Sequence, residues 1–213
     1  MFHFRKYFFV GFLSLMVVAA GLHQAIAAEN IGAKLSAEDK KDLKRIEIYL
    51  NNMKTLRAGF LQVSSNGSLA TGKLFLSRPG KMRFEYDPPA PILMVADGTF
   101  LIYIDKELEQ FTHLWLDNTL VWFLVKDDIS FKDDVTVTKF NKGSNIFYVT
   151  LTKTKDQEQG SITMVFSDKP LAFRKWTITD PQGIETTVTL SNLESGVKID
   201  PELFKFNRFP NAE

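Results

Sequence analysis

Few residues in this chain could carry chemistry. Outside the N-terminal stretch that holds His3 and His23, the one histidine is His113, in the run Gln110-Phe111-Thr112-His113. A Ser-His-Asp triad would have to use it, and the chain has no Gly-x-Ser-x-Gly elbow to present the serine. A lone histidine in a strand is more often structural than catalytic. Carboxylates pair at Asp127-Asp128, Asp133-Asp134 and Glu107/Glu109, the residue types of a glycosidase acid and base. They fall in turn segments beside lysines, with no aromatic cleft around them, and read as solvated loop charge. A phosphate loop, a dinucleotide glycine fingerprint and a His-Glu-x-x-His zinc motif are all missing. No loop offers the alternating oxygen ligands that calcium needs. Cysteine is absent, which removes disulfides, thiolate metal sites, thiol nucleophiles and thioether-linked lipid. The sequence predicts no enzyme, no cofactor and no metal site.

Apolar surface is what the chain has in abundance. It carries 19 phenylalanines and three tryptophans in 213 residues, with 45% hydrophobic and 24% charged positions. That composition suits one globular domain, and a formal net charge of +1 leaves no nucleic-acid footprint. Most of these rings must be core. One sheet face backed by a single amphipathic helix leaves little for so many to pack against, so an apolar cavity inside a curved sheet is expected.

The elements follow from periodicity. Met1–Ala27 reads as a cleavable signal peptide: Arg5 and Lys6, an apolar run from Phe8 to Leu22, then Ala25-Ile26-Ala27 as a small-x-small cleavage pattern. The run is shorter than the ~20 residues of a spanning helix. Its removal takes away two cations and shifts the formal net charge from +1 to −1. Residues 28–213 are then expected as a single exported, periplasmic domain, monomeric and free in its compartment. Ser36 and Asp39 form a capping-box variant ahead of Leu43, Ile46, Leu50 and Met53 at helical spacing. From Arg57 the period becomes two: Met82, Phe84 and Tyr86, then Ile162, Met164 and Phe166, then Ile184 to Leu190 alternate with polar neighbours. Turn signals at Asn66-Gly67, Pro79-Gly80, Asp97-Gly98, Gly143-Ser144-Asn145 and Asp180 to Gly183 favour antiparallel meanders. Leu120–Val125, after Asp117-Asn118-Thr119 as caps, is a second, short helical candidate. A turn at Asp200–Phe204 closes the chain. The predicted class is α+β, with about nine to eleven antiparallel strands and helices on one face.

One long stretch is more specific. Gly72-Lys73-Leu74-Phe75-Leu76-Ser77-Arg78-Pro79-Gly80-Lys81-Met82-Arg83-Phe84-Glu85-Tyr86 and the continuation from Pro88 to Asp105, including Val95-Ala96-Asp97-Gly98, resemble the periplasmic outer-membrane lipoprotein carrier family, LolA. Phe60-x-Gln62 and Leu116-Asp117-Asn118-Thr119 extend the likeness, which covers Ser36 to about Phe206. It implies an incomplete, half-open antiparallel β-barrel, with helices forming a lid over an apolar cavity for acyl chains. The family's latch arginine, which bonds carbonyls of the lid, matches Arg78. An aromatic at the cavity opening matches Met82, and a cavity-lining ring matches Phe84. Phe75, Met82, Phe84, Tyr86, Leu93 and Val95 are the expected cavity residues; Leu120, Trp122, Phe123 and Leu124 are the expected lid helix. The implied partners are acylated lipoproteins, an inner-membrane lipoprotein-releasing ABC transporter and a LolB-like outer-membrane receptor. The receptor class carries a lipidated cysteine, which this chain lacks. Leu120 stands where the family often has proline, Arg83 where it is commonly neutral, and the C-terminal extension is short. A carrier of another envelope lipid, such as a glycolipid or hopanoid, or a lipid sensor of the same fold, stays open on sequence alone.

Overall fold

In the computed structural model, residues 32–206 are described; the expected signal peptide lies outside them. Helix α1 (Ala37–Asn52) starts where the capping box places it. The Ser36 hydroxyl accepts from the Asp39 amide, and the Asp39 carboxylate accepts from the Ser36 amide at 3.0 Å. Leu43, Ile46, Leu50 and Met53 are buried on one face, as their spacing predicts.

Eleven strands follow: β1 (Thr55–Ser64), β2 (Leu69–Ser77), β3 (Lys81–Tyr86), β4 (Ile92–Asp97), β5 (Phe100–Asp105), β6 (Gln110–Trp115), β7 (Val135–Gly143), β8 (Ile146–Lys153), β9 (Ser161–Asp168), β10 (Leu171–Thr179) and β11 (Glu185–Ser195). They form one antiparallel sheet in the order β6-β5-β4-β3-β2-β1-β11-β10-β9-β8-β7. Two sequential meanders meet at the β1–β11 pairing, with Phe60 opposite Leu190 and Gln62 opposite Val188. The sheet is curved and unclosed, with β6 and β7 at its two edges.

The inner face holds the main core, which α1 and the short helix α2 (Trp122–Val125) fill. A second, smaller cluster lies on the outer face: Val95, Ile102 and Ile104, with Leu93, Phe100, Phe111 and Phe206 around them. A 3-10 turn at Pro201–Phe204, capped by the Asp200 carboxylate, brings Phe206 onto it. Burial on both faces is why β4 and β5 lack a clean alternation.

Candidate functional site

Arg78 directly follows β2 and is buried, at 8% exposure. Its Nε donates to the Leu124 carbonyl at 2.9 Å, and Nη1 donates to Met53 O at 2.9 Å and to Leu50 O. Leu50 and Met53 close α1, and Leu124 lies in α2. Helix C-termini present carbonyls without intrahelical partners and a partial negative charge. The last turn of α1 holds no basic residue of its own, and Arg78 supplies that cation from the sheet. Burial pushes its guanidinium down to about 10, which leaves it charged at neutral pH.

The β2–β3 turn adds a second tie to α2. The Gly80 amide donates to Val125 O at 2.7 Å. Gly80 has a φ of +76°, and a Cβ there would come 2.8 Å from the Gly98 Cα. Glycine at position 80 lets the two turns meet beneath α2, and Gly98 takes a φ of +109° that a side chain would strain.

Helix α2 begins two residues later than the sequence suggested. Leu120 is in the preceding turn: Leu124 N–H donates to Val121 O, and the Thr119 hydroxyl accepts from the Trp122 amide at 3.3 Å. Asp117 and Asn118 belong to a separate 3-10 turn from Leu116 to Asn118. Only Thr119 of the three expected caps acts on α2, because the tight turns around it absorb the rest of the segment. Phe123, Leu124 and Val125 are buried, and Phe123 stacks on Phe131 at 5.9 Å.

Of the six expected cavity residues, the register unites three. Met82 and Phe84 are almost fully buried on the inner face, opposite Leu76 and Leu74, and Tyr86 follows opposite Gly72. Phe60 stands edge-on to both Phe84 and Tyr86 at 5.1 Å, and Phe84 meets Trp176 at 6.2 Å. The Tyr86 hydroxyl donates to Gln62 Oε1 at 2.7 Å, while burial pushes its pKa up to about 12. Phe75, Leu93 and Val95 instead face outward. Phe75 is paired with Arg83, which lies between Met82 and Phe84 and so points the other way; Val95 also pairs with Arg83, and Leu93 with Glu85. Side chains alternate between faces, so one residue of register error moves a whole strand. Leu93 and Val95 line an outer groove of about 400 Å³ with Arg83, Ile104, Leu203 and Phe206.

Sequence reasoning missed Met94 and Ala96, the true inner-face residues of β4, opposite Phe84 and Met82. It also missed Asn51, which brackets Ile129 by accepting from its amide and donating to its carbonyl, each at 2.8 Å. Buried Glu47 accepts from the Phe131 amide at 2.7 Å. Polar residues on a helix face give no sign of which distant amide they meet.

The expected cavity is closed. Beneath α2 the space is about 10 Å³, no more than one water molecule fills. Farther along the inner face, Tyr103 (opposite Met94) and Leu114 (opposite Leu101) are exposed where the helices no longer cover the sheet. Among the described residues, no group of acidic or histidine side chains could hold a metal, and no helix is long and apolar enough to cross a membrane.

This chain is similar in sequence to several known proteins. A protein of Pseudomonas syringae pv. syringae named outer-membrane lipoprotein carrier protein is 31% identical over 175 residues, 78% of this chain and 81% of its own length. The same-named protein of Pseudomonas aeruginosa (strain UCBPP-PA14) is 29% identical over 203 residues, covering 88% and 94%. An uncharacterized protein of Rickettsia prowazekii is 29% identical over 174 residues, covering 81% and 80%. The crystal structure of a LolA superfamily protein from Nitrosomonas europaea has a TM-score of 0.46 at 9% identity, covering 76% of this chain and 97% of that one. The sequence profile of the outer membrane lipoprotein carrier protein LolA matches residues 51–207, and this chain belongs to that family.

Proposed function

We propose that this protein is a periplasmic carrier, without enzymatic activity, that encloses lipoprotein acyl chains against the inner face of its sheet. On this reading it takes acylated lipoproteins from an inner-membrane releasing transporter and passes them to a LolB-like outer-membrane receptor. The supporting observation is the Arg78 contact, one buried cation joining the lid helix to α1 over a face of aliphatic and aromatic side chains. Exposure to water costs ~0.8 kcal/mol per methylene, so one long acyl chain is worth on the order of 10 kcal/mol. That exceeds the few kcal/mol that hold a lid through charge-assisted hydrogen bonds. Cargo can therefore drive the closed core open, and the lid can close again on delivery.

Native mass spectrometry of protein purified from its own periplasm tests this. A one-to-one complex with a lipoprotein is the expected result. A free lipid in its place would reassign the cargo, and an empty protein under all conditions would overturn the carrier reading. In transfer assays, Arg78→Leu should still fold and accept cargo but deliver it poorly to the receptor; normal delivery by this variant refutes the latch role.

A further inference from the structure

Helix α2 is held differently at its two ends. At the C-terminal end the ties are buried: Arg78 Nε to Leu124 O at 2.9 Å and the Gly80 amide to Val125 O at 2.7 Å. Just beyond, Asn51 and Glu47 fix Ile129 and Phe131 to α1. At the N-terminal end the ties are the Thr119 hydroxyl, which accepts from the Trp122 amide, and two partly buried lysines, one of them paired with the exposed carboxylate of Asp134. Lys126 Nζ stands 4.7 Å from the Trp122 ring centroid and 3.0 Å from Asp134 Oδ2. Lys153 Nζ lies 6.0 Å from the same ring and donates to Asp117 O. Asp134 precedes β7, Lys153 ends β8, and Asp117 follows β6, so these contacts span the seam between the two edges of the sheet. The crevice under α2 opens at this end, lined by Thr119, Leu120, Trp122 and Phe123 above and by Val135, Leu151 and Ile162 on the sheet. The Thr152 hydroxyl, beside it, is buried without a hydrogen-bond partner.

Resting on the carrier reading, we propose that α2 lifts from its Trp122 end, hinging at Leu124–Val125. The space uncovered between Trp122 and the Val135–Leu151–Ile162 row is then the port by which an acyl chain reaches the inner face. Lys126 and Lys153 are positioning residues that hold Trp122 down across the seam. Cation–ring and surface ion-pair contacts yield to salt and competing anions, whereas a buried arginine on carbonyls does not. The end nearest solvent is thus the end that opens first. A port at the uncovered inner face near Tyr103 and Leu114 is the competing route.

The test combines amide exchange by NMR with the uptake rate of a pyrene-labelled fatty acid. In the Lys126→Met/Lys153→Met double variant, the Trp122 and Phe123 amides should exchange about fivefold faster, with the Gly80 amide unchanged. Probe uptake should accelerate by a similar factor, and its salt dependence should vanish. Lys126→Arg/Lys153→Arg should restore the native rates, since the cation is kept. Equal acceleration at Gly80, or faster exchange without faster uptake, overturns the proposal. So does an uptake rate that responds to Leu114→Asp and not to the lysines. If no variant or native protein binds the probe, the carrier reading fails separately, and the order of amide exchange decides the opening direction alone.

Discussion

Arg78 donates to carbonyls of two helices, so its loss is felt in stability as well as in delivery. Arg78→Leu leaves Leu124 O and Met53 O without this donor, while Leu50 O keeps the Met53 amide; a buried unmet acceptor costs about 1–3 kcal/mol, against relief from burying a cation. Denaturant unfolding should show a net loss of about 2–4 kcal/mol. Arg78→Lys should recover less than half, because an ammonium lacks the fork that reaches Leu124 O with one nitrogen and Leu50 O and Met53 O with another. The guanidinium is pushed down to about 10, so between about pH 6 and pH 8.5 it stays charged. Once intrinsic exchange is corrected, opening of α2 should not vary across that range; a strong slope there would place a different titrating group in the latch. A second residue-scale outcome concerns the inner face. Phe84→Glu sets a carboxylate among Phe60, Tyr86 and Trp176. Because this face is packed when closed, the variant should lose about 2–4 kcal/mol of stability as well as probe binding, a heavier penalty than an open cavity would impose.

Elements tie together through α1. Lys142, on β7, lies 3.1 Å from Asp39 Oδ1 and 3.1 Å from Asp42 Oδ2, and Arg45 reaches Asp42 and Asp168. Hydrogen bonds from Ser36 and Lys142 hold Asp39 below the ordinary carboxylate value, and bonds from Lys142 and Arg45 outweigh desolvation to do the same for Asp42. A lowered carboxylate stabilises the fold above its unfolded value and loses that effect as pH falls through the folded one. Acid unfolding should therefore begin below about pH 4, and Lys142→Met should lower stability at pH 7, where both carboxylates are ionised, with the loss shrinking as pH falls through their folded values. Ser36→Ala should cost about 1 kcal/mol in the same assay. Helix α1 was legible from its cap and its spacing, and the inner face of β3 from strict alternation at Met82, Phe84 and Tyr86. The faces of β2 and β4 were not. Leu74-Phe75-Leu76 and Leu93-Met94-Val95-Ala96 are unbroken apolar runs, and only pairing with β3 shows which members turn inward. The outer cluster under Phe206 makes those runs apolar on both sides. The Lys153 contact carried no signal, since its partner Asp117 lies 36 residues away beyond the other edge of the sheet.

At the scale of the whole molecule, a closed core predicts a kinetic signature. If the inner face opens only when α2 lifts, probe uptake should saturate at a ceiling set by the opening rate instead of rising linearly with concentration. Linear rise to the highest concentrations would mean the face is reached without opening. The strand order has another consequence. Strands β1 to β6 and β7 to β11 are each sequential meanders, joined side by side only where β1 meets β11, and the segment between them is the lid. A cut between the exposed residues Asp127 and Asp128 would separate the polypeptide into halves that each keep their local pairings. The β1–β11 ladder, with Asn51, Glu47 and Arg45 reaching from α1 to Ile129, Phe131 and Asp168, would still bind them to each other. The nicked halves should co-elute and refold as a complementing fragment pair, which would make the lid the natural joint for a split reporter of cargo loading.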